Sequence, residues 1–597
     1  MPHIIKHNLL KKTLDEIAET APDHLTIYHP DESDQDGQIH KYSRTQIHLF
    51  LRVHFGLLDF NIAEDQITDG TDDGGLDAYH IDAEKKTIYL IQSKYKTTPE
   101  GYLNNDVDWR EFFKMELDRI VQGETASSSG HQYNGKIRGL QQKIGEIADI
   151  ARWNYTLIYL GNVPSAITKE RLLTVSGGVC TNTEILHGND FYNQVLIPYL
   201  KRDFYDKEDF SFEIYINQER SANRIRYSVD LADGESAEVQ LCFVPTMEIA
   251  RMMSQYRNSI LQYNPRCYVG IKNTGVNADI RDSVSNTAHN EFSLLNNGIT
   301  VVCNEVNYND NTAQRGRASI TVSNPQIVNG GQTAFTLAHL FENNSDNSIF
   351  DGKEVLTKFI IIVGNRDEMI EKISNATNNQ NPIRPRDKAS NDLKMIQLQS
   401  GLFDQYGVLL ERKQGEFYDS IKEGLIDKKN VIDSVILMRL LLVYRGSVAR
   451  ARSAGEGVLF RDYNLDGVEV SEIYKLIRIY NKISNLDQPS ERDGRKRYQI
   501  NIWGNGLRYG QWAIIYAVYQ LSKSGENLND CLNRVQSRWI DFETTVANHE
   551  HNQSYSSDGF DYANYYKGST IDRDLNEYIP NIGELVESKT DVEIPKI

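Results

Sequence analysis

Residues 69–96 read DGTDDGGLDAYHIDAEKKTIYLIQSKYK. Side chains of a strand alternate between its two faces. Ile88, Leu90, Gln92 and Lys94 therefore form one row, and Tyr89, Ile91 and Ser93 the other. The charged turn Asp82–Lys86 folds the preceding strand back as a hairpin and brings Asp77 beside Gln92. One carboxylate, one amide oxygen and one ammonium then converge at the rim of a sheet. Hard cations such as Mg²⁺ or Mn²⁺ prefer oxygen ligands and keep several waters. Asp77, Gln92 and the Ser93 backbone carbonyl are the candidate ligands, with Asp69 and Asp73 as candidate helpers from a Gly-rich turn. Such a cation acidifies a water and neutralises charge on a phosphate. Lys94 would orient that water or stabilise the transition state. The chemistry to which this pattern points is phosphodiester hydrolysis.

Gly74, Gly75, Asp77, Gln92 and Lys94 together resemble the motif of the PD-(D/E)XK nuclease superfamily. The form matched is the Mrr-like restriction-endonuclease variant, in which Gln replaces the second acid. The resemblance implies a restriction-endonuclease-like α/β domain and a Mg²⁺-dependent endonuclease. Asp77 and Gln92 would hold the metal and Lys94 would serve the chemistry, with DNA favoured over RNA. The superfamily often adds an acid from a preceding helix, and the helix expected at about Tyr42–Leu58 has none.

A chain of 597 residues is long enough for two or more domains, each with its own core. With 40% hydrophobic and 25% charged residues it has the composition of a soluble globular protein. No apolar run reaches the length of a membrane span, so no membrane partner is expected. The N-terminus reads as a helix and not as a signal peptide. Five scattered cysteines fit neither a disulfide framework nor a zinc site, and a reducing cytoplasm is the expected compartment. The net charge of −18 argues against a protein that merely coats nucleic acid. It leaves room for an enzyme with a local basic groove, because phosphate contacts depend on the local field.

Strands alternating with helices predict an α/β nuclease-like domain over 1–205. The charged stretch KRDFYDKEDF is the expected linker. An α+β central region follows over 206–500, β-rich at first and then helical, with a mainly helical extension over 501–597. Three blocks stand out: LLNNGIT at 294–300, NPQIVNGGQT at 324–333 and ISNATNNQNPI at 373–383, with Glu411-Arg412-Lys413 behind them. They resemble the AIPR family, named for abortive phage infection, over roughly Val239 to residue 500. The resemblance implies an antiphage defence protein. A homo-oligomer is expected because cutting both strands commonly needs two active sites, and a co-encoded defence protein is a further expected partner.

The turn Asn329-Gly330-Gly331-Gln332-Thr333 joins a strand to a helix and is a candidate phosphate or nucleotide site, because helix N-termini present unpaired N–H groups. The alternative is a tight connection capped by Thr333 or Asn329. Arg384, Arg386, Lys388, Arg412 and Lys413 are candidate phosphate contacts for a nucleic acid, or a solvated charged face. Arg492, Arg495, Lys496 and Arg497 form a second basic run. Two non-enzymatic readings stand beside the nuclease: a nucleic-acid-binding module, and a nucleotide-gated sensor. An RNA nuclease is a further alternative.

Overall fold

The computed structural model describes residues 2–583. The exceptions are 84, 109, 111–113, 166–167, 176, 205–210, 218, 220–223, 232–233, 235, 265–275, 286–288, 311–315, 345, 365–366, 379–384, 462, 487–497 and 557–558. The chain is mixed α/β and divides into two compact units. One comprises Met1–Ile383 and Gln414–Lys428; the other comprises Arg384–Lys413 and Lys429–Ile597. No helix among the described residues is long and apolar enough to cross a membrane. Cys180, Cys242, Cys303 and Cys531 are buried free thiols, and Cys267 lies outside the described residues.

The first unit opens with helices α1 (Pro2–Glu19), α2 (Gln35–Phe55) and α3 (Phe60–Glu64). Helix α2 starts at Asp34, whose carboxylate accepts the Gly37 N–H. Every residue of Arg44–Val53 is buried, so no side of this stretch of the helix faces water. That leaves the buried polar side chains Arg44, Gln46, His48 and Arg52 needing partners inside the protein.

The strands β1 (Ala78–Asp82), β2 (Thr87–Ser93), β3 (Asn154–Leu160) and β4 (Asn182–Leu186) follow, in the sheet order β1-β2-β3-β4. The hairpin β1–β2 is antiparallel with Ala78 opposite Ile91, and the other two pairings are parallel. The expected alternation along β2 is present. Ile88 and Leu90 enter a core with Leu140 and Ile144 of helix α4 (Gly135–Gly145). Ser93 instead accepts a hydrogen bond from Gln46 of α2 at 2.8 Å. Burial on both faces is why the strand reads as a nearly continuous apolar run.

The same unit contains a second α/β assembly. A three-stranded antiparallel sheet has the order β5 (Ser211–Asn217), β10 (Arg317–Ser323), β9 (Glu305–Asn309). A five-stranded sheet has the order β11 (Gln326–Asn329), β8 (Ile299–Cys303), β12 (Glu354–Ile361), β7 (Ser236–Pro245), β6 (Ile225–Asp230). Helices α5 (Thr246–Tyr256) and α6 (Gly331–Asn343) complete its core through Ile249, Met253, Ala334 and Leu337. Helix α7 (Asp367–Asn378) lies over the β11 edge.

The second unit is mainly helical, as expected of the C-terminal part. Its helices include Ser434–Tyr444, Val470–Leu486, Gln511–Ser522 and Leu528–Ala547, around one core that contains Trp503 and Trp539. A short parallel pair, Leu409–Glu411 with Val431–Asp433, stands beside them.

Leu90 is fully buried at the centre of the N-terminal sheet. Leu90→Ala removes three buried carbons and leaves a cavity, a loss of about 2–5 kcal/mol. Hydrogen exchange at the β2 amides should accelerate accordingly, while exchange in the Gln511–Ser522 helix should stay unchanged.

Candidate active site at the sheet rim

The hairpin register places Asp77, one residue before β1, opposite Gln92 near the end of β2. Asp77 donates its N–H to the Ile91 carbonyl at 3.0 Å. One oxygen of its carboxylate accepts the Ser93 N–H at 2.7 Å. Asp77 and Gln92 are about 95% buried. The Gln92 Oε1 atom is inaccessible to solvent and accepts no hydrogen bond among the described residues. A buried acceptor left open carries a desolvation cost and calls for an explanation.

Two further carboxylates lie at the same place. Ligand oxygens of Asp69, Asp73 and Asp77 all fall within 4.8 Å of one another. The loop holds them through its own backbone. Asp73 accepts the N–H groups of Gly75 at 2.8 Å and Gly70 at 3.1 Å, and the Asp77 carbonyl accepts those of Thr68 and Asp69 at 2.9 and 3.0 Å. Gly75 has φ +75°, and a Cβ there would lie 2.9 Å from the Lys114 carbonyl oxygen, so this turn requires glycine. The polar run at 124–135 folds against the same loop. Asn134 donates its N–H to the Asp72 carbonyl and its side-chain amide to the Thr68 carbonyl, both at 3.0 Å.

Burial pushes the Asp77 carboxyl up to about 8; Asp69 and Asp73 push the same way, against the pull of Lys94 and the Ser93 N–H. Asp73 is also raised, first by burial, then by Asp69, against Gly75, Gly70 and Lys94. Carboxyls crowded in this way hold protons until a cation replaces them.

Sequence reading missed the support behind Asp69. Arg44 of α2 donates to the Asp69 carbonyl at 2.9 Å, and its guanidinium lies 3.6 Å from the Asp69 carboxylate. The same guanidinium binds Glu64 of α3 at 2.5 Å. Glu64 also meets His48 at 3.1 Å and accepts a hydrogen bond from Tyr28. Burial raises the Glu64 carboxyl, but His48, Arg44 and Tyr28 together outweigh it and hold it at about 2. The helix begins earlier than expected, at Gln35, and so includes Asp36 in its first turn; over Tyr42–Phe55 it has no acid and contributes Arg44 instead. One signal was available: Arg44 and His48 stand four apart, on one face of a helix.

The other candidate residues lie elsewhere. Gly330 has φ +86°, and a Cβ there would sit 2.9 Å from the Gly298 carbonyl oxygen; at Gly331 it would sit 2.8 Å from the Asn264 amide. Asn329 donates to the Thr377 carbonyl at 2.7 Å, Thr333 accepts from Asn296 at 3.1 Å, and Gln332 accepts from Asn277 at 3.2 Å. The three sequence blocks thus meet at the start of α6. In the second unit, Arg386 is buried and bound to Asp433 at 2.8 Å. Arg412 donates to Gln399 at 2.8 Å and Lys413 is buried. Arg384 and the run Arg492, Arg495, Lys496 and Arg497 lie outside the described residues, as does the side chain of Lys388.

The family model described as AIPR protein matches residues 261–567. Neither a curated protein nor a solved structure matches the chain.

With its carboxyl raised from an ordinary 3.8 to about 8, Asp77 retains a proton in the folded protein that the unfolded chain has lost. This contribution to stability is complete below about pH 4 and fades as pH rises through about 8. In metal-free buffer, Asp77→Asn should therefore melt higher than the parent at pH 8.5, with the difference shrinking towards pH 5. Parallel melting curves across that range would refute the assignment.

Proposed function

The chain belongs to the AIPR protein family, and we propose that it is an antiphage defence protein whose N-terminal sheet carries a metal-dependent nuclease site, with DNA as the favoured substrate. The observation that carries this reading is the meeting of three carboxylates with the unpartnered Gln92 amide oxygen at one sheet rim. The donors are all oxygen, the ligand type that Mg²⁺ and Mn²⁺ select. Asp69, Asp73, Asp77 and Gln92 would hold the ion. When bound, such an ion supplies an acidified water and neutralises phosphate charge.

The chain's own residues supply the rest. Asp77 is fixed by the Ser93 N–H, so its free oxygen has one direction. Asp69 is anchored by Arg44, which Glu64 holds in turn. Lys94 follows β2 on the side of Gln92, and its charge acts on both Asp77 and Asp73. There it serves to orient water or steady the charge that grows on a phosphate oxygen. The restriction-endonuclease-like reading of this domain rests on the same arrangement, a hairpin followed by a parallel strand with the site at the rim. Nucleic-acid contact is not assigned to Arg386 or Arg412, which are engaged inside the second unit.

Cleavage of supercoiled plasmid, phage DNA and RNA with Mg²⁺ or Mn²⁺ tests the proposal. Lys94→Ala and Asp77→Ala should each lower the rate by about 10²-fold or more. Gln92→Glu should retain cutting with an altered preference between the two metals. Absence of cutting in every condition, with no rise in melting temperature on adding Mn²⁺, would remove the nuclease and leave a binding module.

A further inference from the structure

Five polar side chains of α2 are buried, and Thr45, which donates to the Lys41 carbonyl within the helix, needs nothing from outside it. Gln46 bonds Ser93 and Tyr102, Arg44 bonds Glu64 and Asp69, and His48 bonds Glu64. His48 keeps its Nδ1 without a partner among the described residues, but of the two buried guanidinium groups Arg52 alone has no acid beside it there. Arg52 is 9% exposed, its one described hydrogen bond runs from Nη2 to Thr20 Oγ1 at 3.2 Å, and its Nε has no acceptor. Among the described residues no carboxylate lies within ion-pair distance of it. Its place in the last turn of α2 sets it near the negative end of the helix, which partly balances the charge without giving Nε an acceptor.

Arg52 lines a cavity of about 610 Å³ in the first unit, away from the carboxylate cluster. The other lining cations behave differently. Arg202 is bound to Glu16 at 3.5 Å and to Glu423, and Arg257 to Glu342 at 3.0 Å. Those three acids are thus engaged within the wall, two guanidinium groups against three carboxylates, with Lys422 also on the wall. The imidazole of His339, also on the wall, is held below its ordinary pKa by burial and by Lys422, so it is neutral at pH 7 and able to donate one hydrogen bond.

A buried guanidinium with no counterion among the described residues suits an anion from outside, and its planar fork matches phosphate oxygens. The volume exceeds what a lone phosphate needs and falls in the range of small-molecule sites. Tyr418, half-buried in the wall, offers aromatic surface for a planar body. Asp419, a lining acid with no ion pair among the described residues, suits a sugar hydroxyl. We propose that this cavity binds a phosphorylated small molecule of nucleotide size, with its phosphate on Arg52. This goes beyond the nuclease reading and does not depend on it.

Calorimetric titration of the full chain tests it, with ATP, AMP, a cyclic dinucleotide, pyrophosphate and adenosine as probes. EDTA is kept in the buffer, so that no probe binds through a metal at the carboxylate cluster. At least one nucleotide should bind at one per chain. Arg52→Gln should weaken it tenfold or more, and Arg52→Lys should weaken it less. Asn343→Trp, which fills the cavity from an exposed position on its rim, should abolish binding with Arg52 intact; this arm decides the matter if Arg52→Gln fails to fold. The proposal is overturned if no phosphorylated probe binds. It is equally overturned if pyrophosphate binds as well as the nucleotides, or if binding survives Asn343→Trp.

Discussion

Pairing of Ala78 with Ile91 is the constraint on which the candidate site depends. The side-chain period of a strand is two, so a slip of one residue would turn Gln92 to the α2 side and Ser93 into the apolar core. Two features exclude that slip. Ile88 and Leu90 are fully buried against α4, while Ser93 is hydrogen-bonded to Gln46 on the opposite face. The turn at Asp73–Gly75 then closes over the rim, because only a glycine at 75 lets the backbone pass so near the Lys114 carbonyl. Packing energy in the sheet is thereby converted into a fixed position for Asp77, which is polar, buried and costly to ionise.

On the proposed metal-binding reading, that cost has a functional sense. Asp69, Asp73 and Asp77 crowd one another, and Gln92, opposite Asp77 in the hairpin register, keeps a buried amide oxygen with no donor among the described residues. A fold selected for stability alone would fill this place with apolar side chains. The Arg44–Glu64 pair does the opposite work behind it, holding Asp69 with a charge that is fully matched. Matched charge in the support and unmatched charge at the rim is the division expected when the rim must meet a cation.

How much of this could be read from the sequence varied with the range of the interaction. The alternation in Thr87–Ser93 and the charged turn before it are local, and they gave the hairpin, the parity of Gln92 and the nearness of Asp69 and Asp73. Edge strand Ile225–Asp230 escaped notice because all its residues are exposed, so burial imposed no period on them. The folding of the loop at 124–135 onto Asp72 rests on backbone hydrogen bonds to which composition is blind. Arg44 with Glu64, and Arg52 with its cavity, depend on segments far apart in the chain. A basic residue on a helix does not announce whether it will meet an acid, a hydroxyl or an empty space. Conversely, Arg386 and Arg412 looked like surface charge and are interior fastenings.

Segment Gln414–Lys428 belongs to the first unit although the chain on both sides of it belongs to the second. It is tied there by Ser420, which donates to the Leu200 carbonyl at 2.7 Å, and by Glu416, 3.1 Å from the Lys201 ammonium. The chain therefore passes between the units three times. No single cut yields either unit whole: ending the protein near residue 383 would strip the first of this piece. In evolutionary terms the two units cannot be exchanged as cassettes, so a recombination that joins this N-terminal half to a foreign C-terminal half must also bring a compatible insert. Such a protein diversifies by substitution in place more readily than by shuffling.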